Sequence, residues 1–230
     1  MNGPAWHLFA TRAELADALA ANVAAALRGS LGAKGFAALA VSGGTTPKLF
    51  FPALSARELD WARIDVTLVD ERFVPPDSDR SNERLVRDGL LEGPASRARF
   101  TGLYSAAHDV ETAAAEAQGK IAALPRPFTA VVLGMGTDGH TASFFPDADG
   151  LDALLDPANP ARVMAVQADS AGEPRLTLTL ARLADAELAI LHIEGSQKRA
   201  VLDAAMADGT LPIARTIAAM KNRVQVYWAP

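Results

Sequence analysis

Cysteine is absent from this chain of 230 residues. That excludes disulfide staples, thiolate nucleophiles and iron–sulfur clusters, and leaves oxygen-ligated metals open. Also missing is any apolar run of the roughly 18 to 20 residues that a membrane helix requires. The opening residues, Met1-Asn2-Gly3-Pro4, lack the basic and then apolar layout of a signal peptide, so the expectation is a soluble, cytoplasmic protein with no membrane partner. There is no surplus of positive charge. The formal net charge of −5 argues against broad binding to nucleic acid, although a few local cations would still suffice for a small anion. No internal repeat, low-complexity tract or long linker divides the chain. Half of the residues are hydrophobic, enough for a full core, and a single domain over 1–230 is expected.

What the chain does contain is alternation. Short runs rich in Val, Ile and Leu are separated by Ala-rich segments of helical period, the pattern of βα units around a mostly parallel sheet. The strands expected are Phe36–Val41, Ile64–Val69, Phe128–Leu133, Val163–Val166, Glu187–Ile193 and Val224–Trp228. Thr11 and Glu14 form a T-x-x-E capping box ahead of "LADALAANVAAAL", and Thr46-Pro47 reads as an N-cap with proline at the first helical position. Further helices are expected over Asn82–Leu91, Val110–Leu124, Gln197–Ala207 and Ile213–Met220. The fold class is therefore α/β, an open, Rossmann-like sheet in three layers. Such sheets bind ligands beyond the carboxyl ends of their strands.

Three loops stand at such ends. In "ALAVSGGTTPKLF", Ser42-Gly43-Gly44-Thr45 lies between a strand and a helix start, and reads equally as a phosphate cradle or as an ordinary capped turn. Lys48, in the first turn, opposes the helix dipole unless an anion is present. In "VTLVDERFVPPDSDRSNERLV", Asp70, Glu71 and Arg72 follow a strand directly, as an active-site loop would, though a solvated turn also carries charge. In "VVLGMGTDGHTASFFP", Gly134 to Gly139 satisfy G-x-G-x-x-G, yet Pro146 stops any long helix and Asp138 would repel a pyrophosphate, so the dinucleotide reading fails. The loop instead displays Asp138 and His140 one glycine apart. Imidazole suits proton transfer near neutral pH and a carboxylate fixes its tautomer; the plain alternative is a hydrogen-bonded structural histidine. His7, His108 and His192 take that plain reading. Arg175, in "GEPRLTLTLARL", and Lys198 and Arg199, at the start of a helix, are further candidate cations.

"SGGTTP", "VDERFVP" followed by "SN", "GMGTDGHTASFFP", "PRLTLT" and "GSQKRAVL" occur in this order between Ala40 and Leu202. In these segments the chain resembles the 6-phosphogluconolactonases. The resemblance implies hydrolysis of 6-phospho-D-glucono-1,5-lactone to 6-phosphogluconate, the second step of the oxidative pentose phosphate pathway, on a fold shared with glucosamine-6-phosphate deaminases and ribose-5-phosphate isomerases. It implies phosphate binding by Ser42, Gly43, Gly44 and Thr45 with Arg72 and Lys198 as cationic partners, and His140 as the base. From their own placement in the sequence Arg175 is added to the expected phosphate-binding set, and Asp138, orienting the imidazole, and Asp70 to the expected catalytic residues. The related deaminases carry a glutamate just before the proline of the D-G-H loop, where this chain has Phe145. That departure favours simple water attack over ring opening and amine chemistry. The partner implied is a phosphorylated sugar lactone. No metal or organic cofactor is expected, because a lactone is already activated toward water and no close His/Asp/Glu ligand cluster is readable.

Overall fold

The computed structural model describes residues 3–220 and 223–230. Its strands are β1 (Ala5–Leu8), β2 (Ala37–Val41), β3 (Ile64–Leu68), β4 (Asp70–Arg72), β5 (Arg99–Thr101), β6 (Ala130–Leu133), β7 (Val163–Val166), β8 (Arg175–Leu178), β9 (Leu188–Glu194) and β10 (Val224–Ala229). Its α-helices are α1 (Arg12–Lys34), α2 (Phe50–Ser55), α3 (Asn82–Gly89), α4 (Val110–Ala122), α5 (Leu151–Leu154), α6 (Leu180–Leu183), α7 (Ser196–Asp208) and α8 (Pro212–Ala219). Seven strands form one sheet in the order β1-β10-β9-β6-β2-β3-β5, and β4, β8 and β7 form a second. Every pairing in the larger sheet is parallel and every pairing in the smaller one antiparallel.

Strands β2 (AALAV) and β6 (AVVL) are buried along their whole length, as expected of strands covered on both faces. Helix α1 supplies part of that cover, packing on β2, β6, β9 and β10 through Leu15, Leu19, Val23 and Leu27, all fully buried at a spacing of four. Its start is fixed by the expected box: the Glu14 amide donates to Thr11 Oγ1 and the Thr11 amide to Glu14 Oε2, each at 3.2 Å. It ends at Gly35, whose φ of 80° is the left-handed cap that glycine adopts without steric cost.

The six expected strands exist, Val163–Val166 with the expected ends and the other five with one or both ends displaced by one or two residues. Four others, β1, β4, β5 and β8, have no counterpart in the expectation. They are three or four residues long, and β4 is wholly charged, so pairing with distant chain rather than local pattern makes them strands. The turn after β2 needs a second correction. Thr46–Lys48 is a single 3-10 turn, followed by the short α2, and Thr46 caps nothing. Its hydroxyl instead accepts from Lys198 Nζ at 3.1 Å.

Candidate active site

Strand order reverses between β2 and β6. From β2 the chain moves to β3 and β5 on one side; from β6 it moves to β9 and β10 on the other. Loops leaving the carboxyl ends of two such strands diverge, and the crevice between them is where an open α/β sheet receives a ligand. Here that crevice is a cavity of about 290 Å³. The loops are stitched together at its base: the Ser42 amide donates to Val132 O at 2.9 Å, and the Gly134 amide donates to Ser42 Oγ at 2.9 Å. Ser42, Gly43, Gly44, Thr45 and Thr46 line one wall. Gly44 has a φ of 84°, and Gly43 lies so close to the Asn82 side chain that a Cβ there would overlap it.

The β6 loop turns on itself, with the Gly136 amide donating to His140 O at 2.9 Å. This brings His140 Nδ1 to 2.6 Å from Asp138 Oδ1, which also accepts the His140 amide at 3.2 Å. A Cβ on Gly136 would collide with both side chains, so the pair requires glycine at that position. With Nδ1 donating to Asp138, Nε2 carries the lone pair. It has no hydrogen-bond partner among the described residues, and His140 lines the cavity. Asp138 stands behind it, outside the lining. Burial acts to raise the Asp138 carboxyl, but the hydrogen bonds and charge of His140 outweigh it and leave the carboxyl below its ordinary value. The Phe145 ring lies 4.3 Å from the imidazole, centroid to centroid. Ala142, at φ 48°, is in the left-handed region that non-glycine residues seldom occupy.

The third wall comes from the smaller sheet. The chain leaves β3 at Val69, whose carbonyl accepts from the Leu178 amide at 2.8 Å, and crosses directly into β4. The crossing aims Asp70 and Arg72 at the cavity, and β4 pairs Arg72 with Arg175 of β8. Asp70 is buried and its Oδ2 accepts from Ser143 Oγ at 2.6 Å. Arg175, 8% exposed, donates from Nη2 to Ala171 O at 2.8 Å. The Nε atoms of both arginines are buried and have no protein partner among the described residues. Burial lowers Arg175 from the usual arginine value despite Asp70, and it lowers Lys198 despite Glu194. Arg175 Nη2 also lies 3.4 Å from Glu173 Oε1. The unpartnered Nε atoms of the two arginines and the nearby Lys198 give the cavity donors and positive charge suited to an anion.

Nine of the ten candidate residues thus line one cavity, and Asp138 touches it through His140. Two further cations do not belong. Lys48 is exposed and outside the lining, and Arg199 stacks over Trp6 at 3.9 Å and pairs with Asp203. Asn82, Met135 and Ser170 line the cavity without having been singled out. For Asn82 the "SN" at the start of α3 was a signal; for Ser170 there was none.

A family model described as "Glucosamine-6-phosphate isomerases/6-phosphogluconolactonase" matches residues 10–228. The 6-phosphogluconolactonase of Rhizobium meliloti (strain 1021) is 54% identical over 97% of this chain and 98% of its own. That of Pseudomonas aeruginosa is 44% identical over 99% and 96%. Among solved structures, a 6-phosphogluconolactonase from Shewanella baltica OS155 superposes with a TM-score of 0.96 at 38% identity, covering 100% of this chain and 99% of that one.

Proposed function

The chain belongs to the glucosamine-6-phosphate isomerase and 6-phosphogluconolactonase family, and from that premise we propose that it hydrolyses 6-phospho-D-glucono-1,5-lactone to 6-phosphogluconate, a step of the oxidative pentose phosphate pathway. The observation that carries this reading is the cavity itself. A histidine held through Nδ1 by a carboxylate shares it with three cations, two of them with a buried Nε that has no partner among the described residues, and with a glycine-rich loop.

In the proposed reaction His140 Nε2 takes a proton from water as the water oxygen bonds to the lactone carbonyl carbon. Asp138 holds the ring and balances the imidazolium. Such a base contributes roughly 10²–10⁴ in rate. The tetrahedral oxyanion then collapses, the bond from the carbonyl carbon to the ring oxygen breaks, and that oxygen takes the proton back from the imidazolium. Ser42, Gly43, Gly44 and Thr45, with Arg72, Arg175 and Lys198, bind the distant phosphate, and Asp70 holds the substrate beside the base. Each charge-assisted hydrogen bond to the phosphate contributes about 1.5–3 kcal/mol. The phenyl ring of Phe145 packs on the imidazole and supplies no second carboxylate for amine chemistry.

The test is a stopped assay of freshly generated 6-phosphogluconolactone against its spontaneous hydrolysis. We expect kcat/KM to exceed that for unphosphorylated gluconolactone by at least about a hundredfold, the loss of one to two charge-assisted bonds. Equal constants for the two lactones would sink the phosphate assignment, and ammonia release from glucosamine 6-phosphate would replace lactone hydrolysis by deamination.

A further inference from the structure

Glu71 is wholly buried beside the cavity, yet the reaction above gives it no task. Both of its carboxylate oxygens are engaged twice. Oε1 accepts the Arg72 amide at 2.8 Å and the Asn82 amide at 2.7 Å; Oε2 accepts Ser81 Oγ at 3.0 Å and the Glu83 amide at 2.7 Å. Two of these donors belong to the first turn of α3, where amides have no partner inside the helix and a negative charge is favoured. A third belongs to Arg72, which lines the cavity. From the same turn Asn82 reaches back with Nδ2 to Asp70 O at 3.0 Å and packs against Gly43 in the glycine-rich loop. One carboxylate therefore ties the strand carrying Arg72 to the helix turn that braces Gly43.

We propose that Glu71 is a positioning residue for substrate phosphate: its carboxylate sets Arg72 and, through Asn82, the Ser42–Thr45 loop at the separation that a phosphate bridges. The inference deepens the phosphate assignment and rests on it. Burying a carboxylate is costly, and burial holds Glu71 above the ordinary glutamate value even against its four hydrogen bonds. An ordinary helix cap needs only a Ser, Thr, Asp or Asn at the N-cap position, which Ser81 already provides to the Arg84 amide at 3.2 Å. The additional carboxylate is explained by what lies on its other side.

Glu71→Gln keeps the shape but turns an NH2 toward one of the backbone donors. In the full-length protein we expect KM for 6-phosphogluconolactone to rise about tenfold, as for one lost charge-assisted bond, with kcat/KM for gluconolactone changed by less than about threefold. Ser81→Ala, which removes one donor and leaves the charge, should shift KM in the same direction by a smaller factor. Parallel losses for both lactones, or a lower melting temperature with unchanged KM, would overturn the proposal and make Glu71 a structural cap. If Glu71→Gln does not fold, Ser81→Ala decides on the same two readouts. Should the wild-type protein itself show no preference for the phosphorylated lactone, the phosphate assignment fails and takes this inference with it; a wild-type preference that Glu71→Gln retains counts against Glu71 alone.

Discussion

At the scale of single residues, the proposed chemistry depends on His140 and its short bond to Asp138. His140→Asn should leave KM close to the wild-type value and lower kcat at least about tenfold, the lower end of what a general base supplies. Asp138→Asn should lower kcat less, because orientation and charge are lost while the imidazole stays. A kcat unchanged by His140→Asn would remove His140 from the mechanism. These two were legible in the sequence because their relation is local: two positions apart on a glycine-rich turn, their contact depends little on the rest of the fold. Glu71 was legible only as one of three charges. Its partners at 81, 82 and 83 are reached by tertiary folding, and nothing in "DER" marks which of the two buried carboxylates faces the cavity and which the start of α3.

At the scale of elements, legibility followed length and capping. Helix α1 could be read from its box and its four-residue stripe, and the structure starts it where that box requires. Thr11→Ala removes half of the box at an exposed position and should cost about 1 kcal/mol, within the usual range for a cap. That corresponds to a melting temperature lower by about 2–4 °C for a chain of this size. Because α1 contributes no residue to the cavity, kcat and KM should both hold; a loss of activity per folded molecule would mean that the helix start communicates with the site. Strands of three residues behave differently. β4 is a strand because β8 lies alongside it: Asp70, Glu71 and Arg72 carry no alternation of polar and apolar positions, and the alternation in Arg175-Leu176-Thr177-Leu178 is too short to mark a strand by itself. The wall of the cavity built from Asp70, Arg72 and Arg175 was for this reason readable as a set of residues and not as a surface.

At the scale of the whole molecule, the α/β class and parallel sheet follow from the alternation of strand-like and helix-like segments, while the order of strands does not, since periodicity carries no information about which strand lies beside which. That order places the candidate site between two halves of the sheet, one continuing through β3 and β5, the other through β9 and β10. Direct backbone pairing between the halves is the short register of Leu39, Ala40 and Val41 with Ala130, Val131 and Val132, extended at its ends by the Thr129 amide to Ala38 O and the Ser42 amide to Val132 O. A ligand held by the loops of both strands is therefore a rivet across the line along which the sheet would open. Added 6-phosphogluconate should slow amide deuterium uptake in 42–46 and in 134–140 together, at one common ligand concentration, because opening on either side releases the ligand from both. Protection confined to one of the two segments would place the ligand on a single half, and would leave the molecule's resistance to local opening independent of how much sugar acid surrounds it.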